Sequence, residues 1–276
     1  MSKYETLPLK HLSSWIKNRE VEGYYTFTKN DVLSLDLPLN SASISNALSR
    51  QISRGIIMSP WQNFYVIIPT EYKLRGIIPP SFYIDNLMHF LEKDYYISLL
   101  TAAELNGASH QHAMVYYVTA NGKFIRDVNT NGYRIDFTLS QTIPHHYINK
   151  LKVQTGYINV ASAELTALDI IANNNKIGGV GRAAETLSEL CEAMHWDNSK
   201  QELLNYFSTA TVQRLGYLLD LIGESEQADN LYFIMCKSAA TFRRILLKST
   251  APANTTTSIN NRWKVIDNYP FDIDEI

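Results

Sequence analysis

The chain has 276 residues, 45% of them hydrophobic and 19% charged, with a formal net charge of −2. This is ordinary globular composition, enough for one large domain or two smaller ones, and no apolar run approaches the roughly 20 residues a membrane span needs. The N-terminal MSKYETLPLKHLSSW has no apolar export core, and Cys191 and Cys236 lie far apart in apolar helical contexts, so a cytoplasmic protein with reduced, buried thiols and no cysteine-based zinc site is expected.

A first helix is expected from about Leu7 to Asn18, with Leu7, Leu12, Trp15 and Ile16 as its apolar stripe. Tyr24–Thr28 reads as a short strand. Thr28 or Asn30 can cap a second helix that turns Val32 and Leu33 inward, and Pro38 in LDLPLN stops it. A third helix is expected to start after Asn40 or Ser41 and end at Gly55, a residue suited to the left-handed position beyond a helix end. Ile44, Ala47, Leu48 and Ile52 recur at helical spacing and form its buried face. IIMS and FYVIIP follow as two strands, joined by the turn-type Pro60-Trp61-Gln62-Asn63. Helix, turn, helix, then a hairpin with an aromatic tip is the order of a winged helix-turn-helix.

Pro79-Pro80 breaks the pattern, and the boundary between a unit 1–78 and a second unit 79–276 is placed there. Helices are expected over about Tyr83–Lys93 and Ile97–Asn106, the latter ended by Gly107 and packing Tyr95, Leu99, Leu100 and Ala103 inward. AMVYYVTA, KFIRDV, YRIDFTL and GYINVA are strand candidates, with Asn121-Gly122 and Asn131-Gly132 as hairpin signals. From Ala163 the pattern turns helical, through AELTALDIIANN, AAETLSELCEAMHW, KQELLNYFSTA, TVQRLGYLLDLIGES and AATFRRILLKST. A polar loop with Thr255–Thr257 and a strand RWKVID close the chain. The expected class is α+β: the winged unit, then a mixed body with a small antiparallel sheet and a helical segment.

Charge is distributed unevenly. Residues 1–75 carry nine Lys/Arg against six Asp/Glu, and Ser41–Tyr65 holds Arg50 and Arg54 with no acid. A locally basic surface on a mildly acidic body suits a specific reader of double-stranded DNA. The candidate reading face is Ser41, Ser43, Ser45, Asn46, Ser49, Arg50, Ser53 and Arg54. Arg50 is suited to a bidentate guanine contact and Asn46 to adenine, while the serines permit close approach. Lys29, Arg54 and the wing tip Trp61, Gln62 and Asn63 are placed on the phosphate backbone. The competing reading is a winged helix used only for protein contacts.

Other chemistry is weaker. His110 and His112, even with His145-His146, lack the carboxylate or cysteine of a recognisable metal set. Asp127 and Asp136 have no carboxylate-x-Lys strand for a magnesium-dependent nuclease, and Asp136 is expected to pair with Arg134 or Lys123. GGVGR at Gly178–Arg182 lacks the phosphate-loop lysine and the dinucleotide spacing, and reads as a loop before a helix. No catalytic set or cofactor is expected. Lys237, Arg243, Arg244, Lys248, Arg262 and Lys264 form a basic cluster, with Arg243, Arg244 and Lys248 on one helix; it is a contact surface for a partner protein or RNA, or a solvated face balanced by Glu224, Glu226 and Asp229.

Several segments in order resemble the AbiEi antitoxins of type IV abortive-infection toxin–antitoxin systems. They are GIIPPSFYIDNLM, YYISLLTAAELNGASHQ, TGYINVASAELTALDII, GGVGRAAETLSEL, QRLGYLLDLIG and NRWKVIDN. Two departures stand out: Asn106 where a histidine usually precedes the glycine, and Ala163 where proline is common. The resemblance implies a non-enzymatic antitoxin paired with a nucleotidyltransferase-like toxin. Its winged helix would repress the shared promoter at inverted repeats, and its C-terminal domain would counter the toxin with or without direct contact. A stand-alone regulator whose second domain senses a ligand is the alternative, and a DNA-processing enzyme a third.

Overall fold

The computed structural model describes residues 12–35, 40–74, 76, 78–108, 115–130, 132–238, 241–252 and 258–269. Leu7, the Pro38 turn, His110–His112, Asn131 and Thr255–Thr257 lie outside the described residues.

The N-terminal unit runs α1 (Leu12–Val21), β1 (Thr26–Thr28), α2 (Lys29–Leu33), α3 (Ser41–Ser53), β2 (Ile57–Trp61) and β3 (Phe64–Ile67). Local chemistry sets these limits. Thr28 closes a capping box on α2: the Asp31 amide donates to its hydroxyl at 3.2 Å, and its own amide donates to the Asp31 carboxylate at 2.7 Å. Asn40 caps α3 by accepting from the Ser43 amide at 2.8 Å, and Gly55, at φ 66°, takes the left-handed position after it. The strands form a three-stranded sheet in the order β1-β3-β2. Helix, strand, two helices and a hairpin thus follow in the order expected from the sequence.

Side chains on β3 alternate between two cores. Tyr65 and Ile67 pack with Trp15, Ile16, Phe27, Val32, Ile44 and Leu48 under the three helices. Phe64 and Val66, with Met58 and Ile68, point the other way into the core of the C-terminal body. Burial on both faces explains why FYVIIP is an unbroken apolar run rather than an alternating one. The unit assigned to 1–78 therefore packs against the rest through an apolar face.

The body begins with α4 (Ile84–Phe90) and is built on a six-stranded mixed sheet in the order β6-β7-β5-β4-β9-β8. Its strands are β4 (Tyr95–Ile97), β5 (Val115–Asn121), β6 (Val128–Thr130), β7 (Tyr133–Ser140), β8 (Ile148–Val153) and β9 (Gly156–Ala161). The helices α5 (Leu99–Leu105), α6 (Ala163–Ala172), α7 (Val180–Leu190), α8 (Gln201–Leu204), α9 (Thr209–Leu221) and α10 (Ser225–Lys237) complete the main core. A small sheet of β10 (Ile245–Leu246), β12 (Val265–Asp267) and β11 (Ser258–Ile259) closes the described chain. Among the described residues no helix is long and apolar enough to cross a membrane.

The α+β class holds, with corrections in detail. Asn121-Gly122 is not a β5–β6 hairpin: 124–127 is irregular, β6 pairs antiparallel with the far side of β7, and β7 runs parallel to β5. The expected helix at Ile97 starts at Leu99, because the aromatic Tyr95-Tyr96-Ile97 pairs with β5 and β9; Leu99 makes the turn with φ 50°. Tyr95, Leu99 and Ala103 are buried as expected, Leu100 only partly. Sequence periodicity missed β8, whose residues 149–152 are all exposed, Leu151 included, and α10. AATFRRILLKST is not a helix over its described part: its 241–244 stretch is irregular, and Ile245-Leu246 pairs in parallel with Val265-Ile266. That pairing satisfies the backbone and overrides helix propensity. Cys191 is buried, and burial pushes its thiol up to about 12, but Cys236 is exposed rather than buried.

Candidate functional site

On α3, Ile44, Leu48 and Gln51 are buried, at i, i+4 and i+7. Ile52 is 40% exposed, against expectation, because Gln51 faces α1 instead and donates to the Ser13 hydroxyl at 2.8 Å. Ser41, Asn46, Ser49, Arg50, Ser53 and Arg54 are exposed, with Ser43 and Ser45 half-buried at the flanks. Among the described residues neither Arg50 nor Arg54 has an ion-pair partner. The Ser45 and Ser53 hydroxyls each donate to the carbonyl four residues back, Ser41 and Ser49, at 3.0 Å. Those protons are already committed, so an anion brought to this face is met chiefly by the two guanidinium groups.

Gln62 and Asn63 form an exposed two-residue turn, Asn63 at φ 63°. The Lys29 amide donates to the Asn63 carbonyl at 2.9 Å, bringing the start of α2 to the wing tip. Trp61 is turned the other way. It is half-buried, with the Arg126 guanidinium 4.5 Å over its ring. Phe64 against Phe90 at 5.4 Å, and Tyr25 against Phe82 at 5.8 Å, continue this contact with the body. Arg126 sits in an irregular stretch with no periodicity, and no sequence signal marked it.

The basic cluster does not form one surface. Arg243, Arg244 and Lys248 are not on a helix, for the reason given by the β10–β12 pairing. Arg262 is a structural cation: it pairs with Asp220 at 3.1 Å and Asp229 at 2.6 Å, over the rings of Tyr232 and Trp263. Lys237 bonds the Asn198 side chain at 2.9 Å, Lys264 reaches the Phe242 carbonyl at 3.3 Å, and Lys248 lies 4.0 Å from the Tyr269 ring. Of the six, the side chains of Arg243 and Arg244 stand exposed without such engagement among the described residues. Asp136 pairs with Arg134 at 3.0 Å as expected, but its second partner is Lys176 at 2.9 Å rather than Lys123. His145 and His146 are exposed on a short turn.

A cleft of about 320 Å³ opens between the sheet and the ends of α6 and α9. Asp169 lines it, 5% exposed, receiving the Tyr96 hydroxyl at 3.4 Å on one oxygen while the other has no partner among the described residues. Burial raises its carboxyl to about 7.

Motifs distant in sequence meet around α9. Trp263 is fully buried, its indole N–H donates to Asp220 at 2.7 Å, and a Cβ on Gly216 would lie 2.2 Å from its ring. QRLGYLLDLIG and NRWKVIDN thus form one packing unit. Ala163 is the first residue of α6 after the cap Ser162, where proline is tolerated because the amide has no helical partner. Asn106 ends α5 and ties it to β9 through the Ala161 carbonyl at 3.0 Å.

The architecture is an N-terminal unit of three helices and a three-stranded sheet, packed on a mixed α/β body. Residues 96–221, from β4 to the end of α9, match the AbiEi antitoxin C-terminal domain family. This similarity to an antitoxin domain supports the antitoxin role in a toxin–antitoxin pair. The fold is similar to the crystal structure of the RV2827C protein from Mycobacterium tuberculosis, with a TM-score of 0.68 at 13% identity over 92% of this chain and 90% of that one. In a comparison with curated proteins, none matches this chain.

Proposed function

We propose that this protein is the antitoxin of a type IV toxin–antitoxin pair. It counters a nucleotidyltransferase-like toxin and represses its own operon by binding double-stranded DNA at inverted repeats. It acts in the cytoplasm, in phage defence, without enzymatic activity of its own. The match of residues 96–221 to the AbiEi antitoxin domain carries this reading. The repressor half rests on α3, whose exposed face offers Arg50, Arg54 and Asn46 and no acid. Of the wing, Gln62, Asn63 and Lys29 remain on the DNA side, while Trp61 serves the contact with the body. Residues 1–78 are the reader and 79–276 the antitoxin domain. The six-residue basic cluster narrows, as an antitoxic surface, to Arg243 and Arg244.

Co-expression with the toxin encoded beside it tests the reading. Growth should be rescued by the full chain and by a variant lacking both α3 arginines; failure of the full chain to rescue rejects it. A stand-alone regulator with a sensing domain is favoured by one observation, the cleft at Asp169. Absence of a neighbouring nucleotidyltransferase reading frame, with operator binding intact, selects that alternative.

A further inference from the structure

Behind the cleft, a smaller recess of about 100 Å³ lies between the end of α6, α9 and the residues after β10. Its volume is that of about three liquid waters at ~30 Å³ each, enough for one tetrahedral oxyanion. Arg214, Lys248, Asn175, Ser249 and Thr250 are among the residues that line it, and among the described residues no carboxylate does.

Arg214 is the telling residue. It is half-buried on α9, and its Nε donates to the Leu246 carbonyl at 3.0 Å. Its two terminal nitrogens have no partner among the described residues. A guanidinium taken partly out of water is ordinarily compensated by a carboxylate. Among the described residues Arg214 has no ion-pair partner: Asp220 holds Arg262 and Trp263, and Asp267 accepts the Tyr217 hydroxyl at 3.0 Å. Burial lowers Arg214 below the usual guanidinium value, as expected for a cation without an anion. Lys248, with its ammonium 4.0 Å from the Tyr269 ring, adds a second basic residue to the lining. Arg214 and Lys248 thus share the lining of one recess with Asn174, Asn175, Thr211, Ser249 and Thr250. That donor set suits phosphate.

We propose that this recess binds the phosphate group of a small phosphorylated ligand. Ala172 and Thr211 line both the recess and the 320 Å³ cleft, so the body of such a ligand has room beside its phosphate, toward Asp169. The recess takes one terminal phosphate; a nucleic-acid backbone presents successive phosphodiesters and needs an open groove instead.

Calorimetric titration of the full chain with inorganic phosphate, adenosine 5′-monophosphate and adenosine, at matched ionic strength in chloride, tests this. Saturable binding of inorganic phosphate is expected, with the monophosphate bound more tightly and adenosine much more weakly. Arg214→Gln should weaken phosphate binding by about tenfold or more, the effect of about 1.4 kcal/mol. Because Arg214 also holds Leu246, Lys248→Met and Thr250→Val provide variants outside that bond, and both should weaken phosphate with unchanged melting in chloride. Absence of saturable phosphate binding, or equal affinity in Arg214→Gln and Lys248→Met, would overturn the site. Equal binding of adenosine and its monophosphate would do the same. Displacement of bound phosphate by a short RNA lacking terminal phosphates, as effectively as by the monophosphate, would overturn the assignment to a small ligand.

Discussion

On α3, Arg50 and Arg54 stand in water with no acid on their helix, whereas Arg262, near the end of the described chain, lies between Asp220 and Asp229 and over two aromatic rings. Both regions read as basic in sequence. The first leaves its charge in solvent; the second spends it fastening the last strands to α9. An arginine with two carboxylates and a ring face within reach is scaffold, and its removal should be felt in stability before it is felt in binding.

The fastening of α9 should give the largest effect. Trp263→Ala removes a fully buried ring and its bond to Asp220, and should cost ~3–5 kcal/mol. Arg262→Ala, at a partly exposed site, should cost less than half as much, because water replaces part of what is lost. Denaturant midpoints separate the two. An equal loss would mean that the ion pairs, rather than the ring, hold the strands. Gly216→Ala, whose Cβ would meet the ring, should destabilise by ~1–3 kcal/mol in the native background and far less beside Trp263→Leu.

The next effect depends on pH. The Asp169 carboxyl stands at about 7 in the folded protein against 3.8 as an ordinary side chain, so the folded state holds the extra proton between these values. Its contribution to stability is complete below about pH 4 and is lost as pH rises through 7, with a bound of ~4 kcal/mol before solvent in the cleft reduces it. Asp169→Asn should flatten unfolding free energy between pH 5 and pH 8 and raise it at the upper end. Parallel curves for native and variant protein would show that Asp169 titrates normally.

The elements of the N-terminal unit were legible because their signals are local: a capping threonine at Thr28, a helix with one apolar stripe, a glycine stop at Gly55 and a two-strand run. The body was less so. Its sheet order follows from a crossover after Asn121-Gly122, whose local chemistry is that of a hairpin turn. The 245–246 strand exists only because β12 offers it a partner. Arg243, Arg244 and Lys248 recur at spacing compatible with a helix, and nothing local says otherwise. Asp220 and Arg262 are 42 residues apart, beyond any window that periodicity can use. Arg126 and Arg214 went unremarked for the same reason: what distinguishes them is the ring above which one sits and the missing acid beside the other.

DNA binding sharpens the contrast between free and satisfied arginines. Arg50→Ala should weaken operator binding by about 10- to 100-fold, or ~1–3 kcal/mol, in a gel shift, while melting stays unchanged. Arg262→Ala should leave operator affinity unchanged wherever the protein remains folded. If Arg50→Ala binds as well as the native chain, the exposed face of α3 is a protein-contact or solvated face, and the repressor half of the proposal fails.

The smallest effect concerns the join between the two regions. The Arg126 guanidinium over Trp61 is one contact among several; Met58, Phe64, Val66 and Ile68 bury the same sheet face in the body's core. Arg126→Ala should therefore cost only ~0.5–1 kcal/mol of global stability. Hydrogen exchange should nevertheless quicken at the wing end of β2 and β3, because those amides lose their cover locally. Operator affinity should hold, since Trp61 faces the body and α3 is untouched. A large loss of DNA binding in Arg126→Ala would place Trp61, or Arg126 itself, on the reading surface and return the whole wing to it.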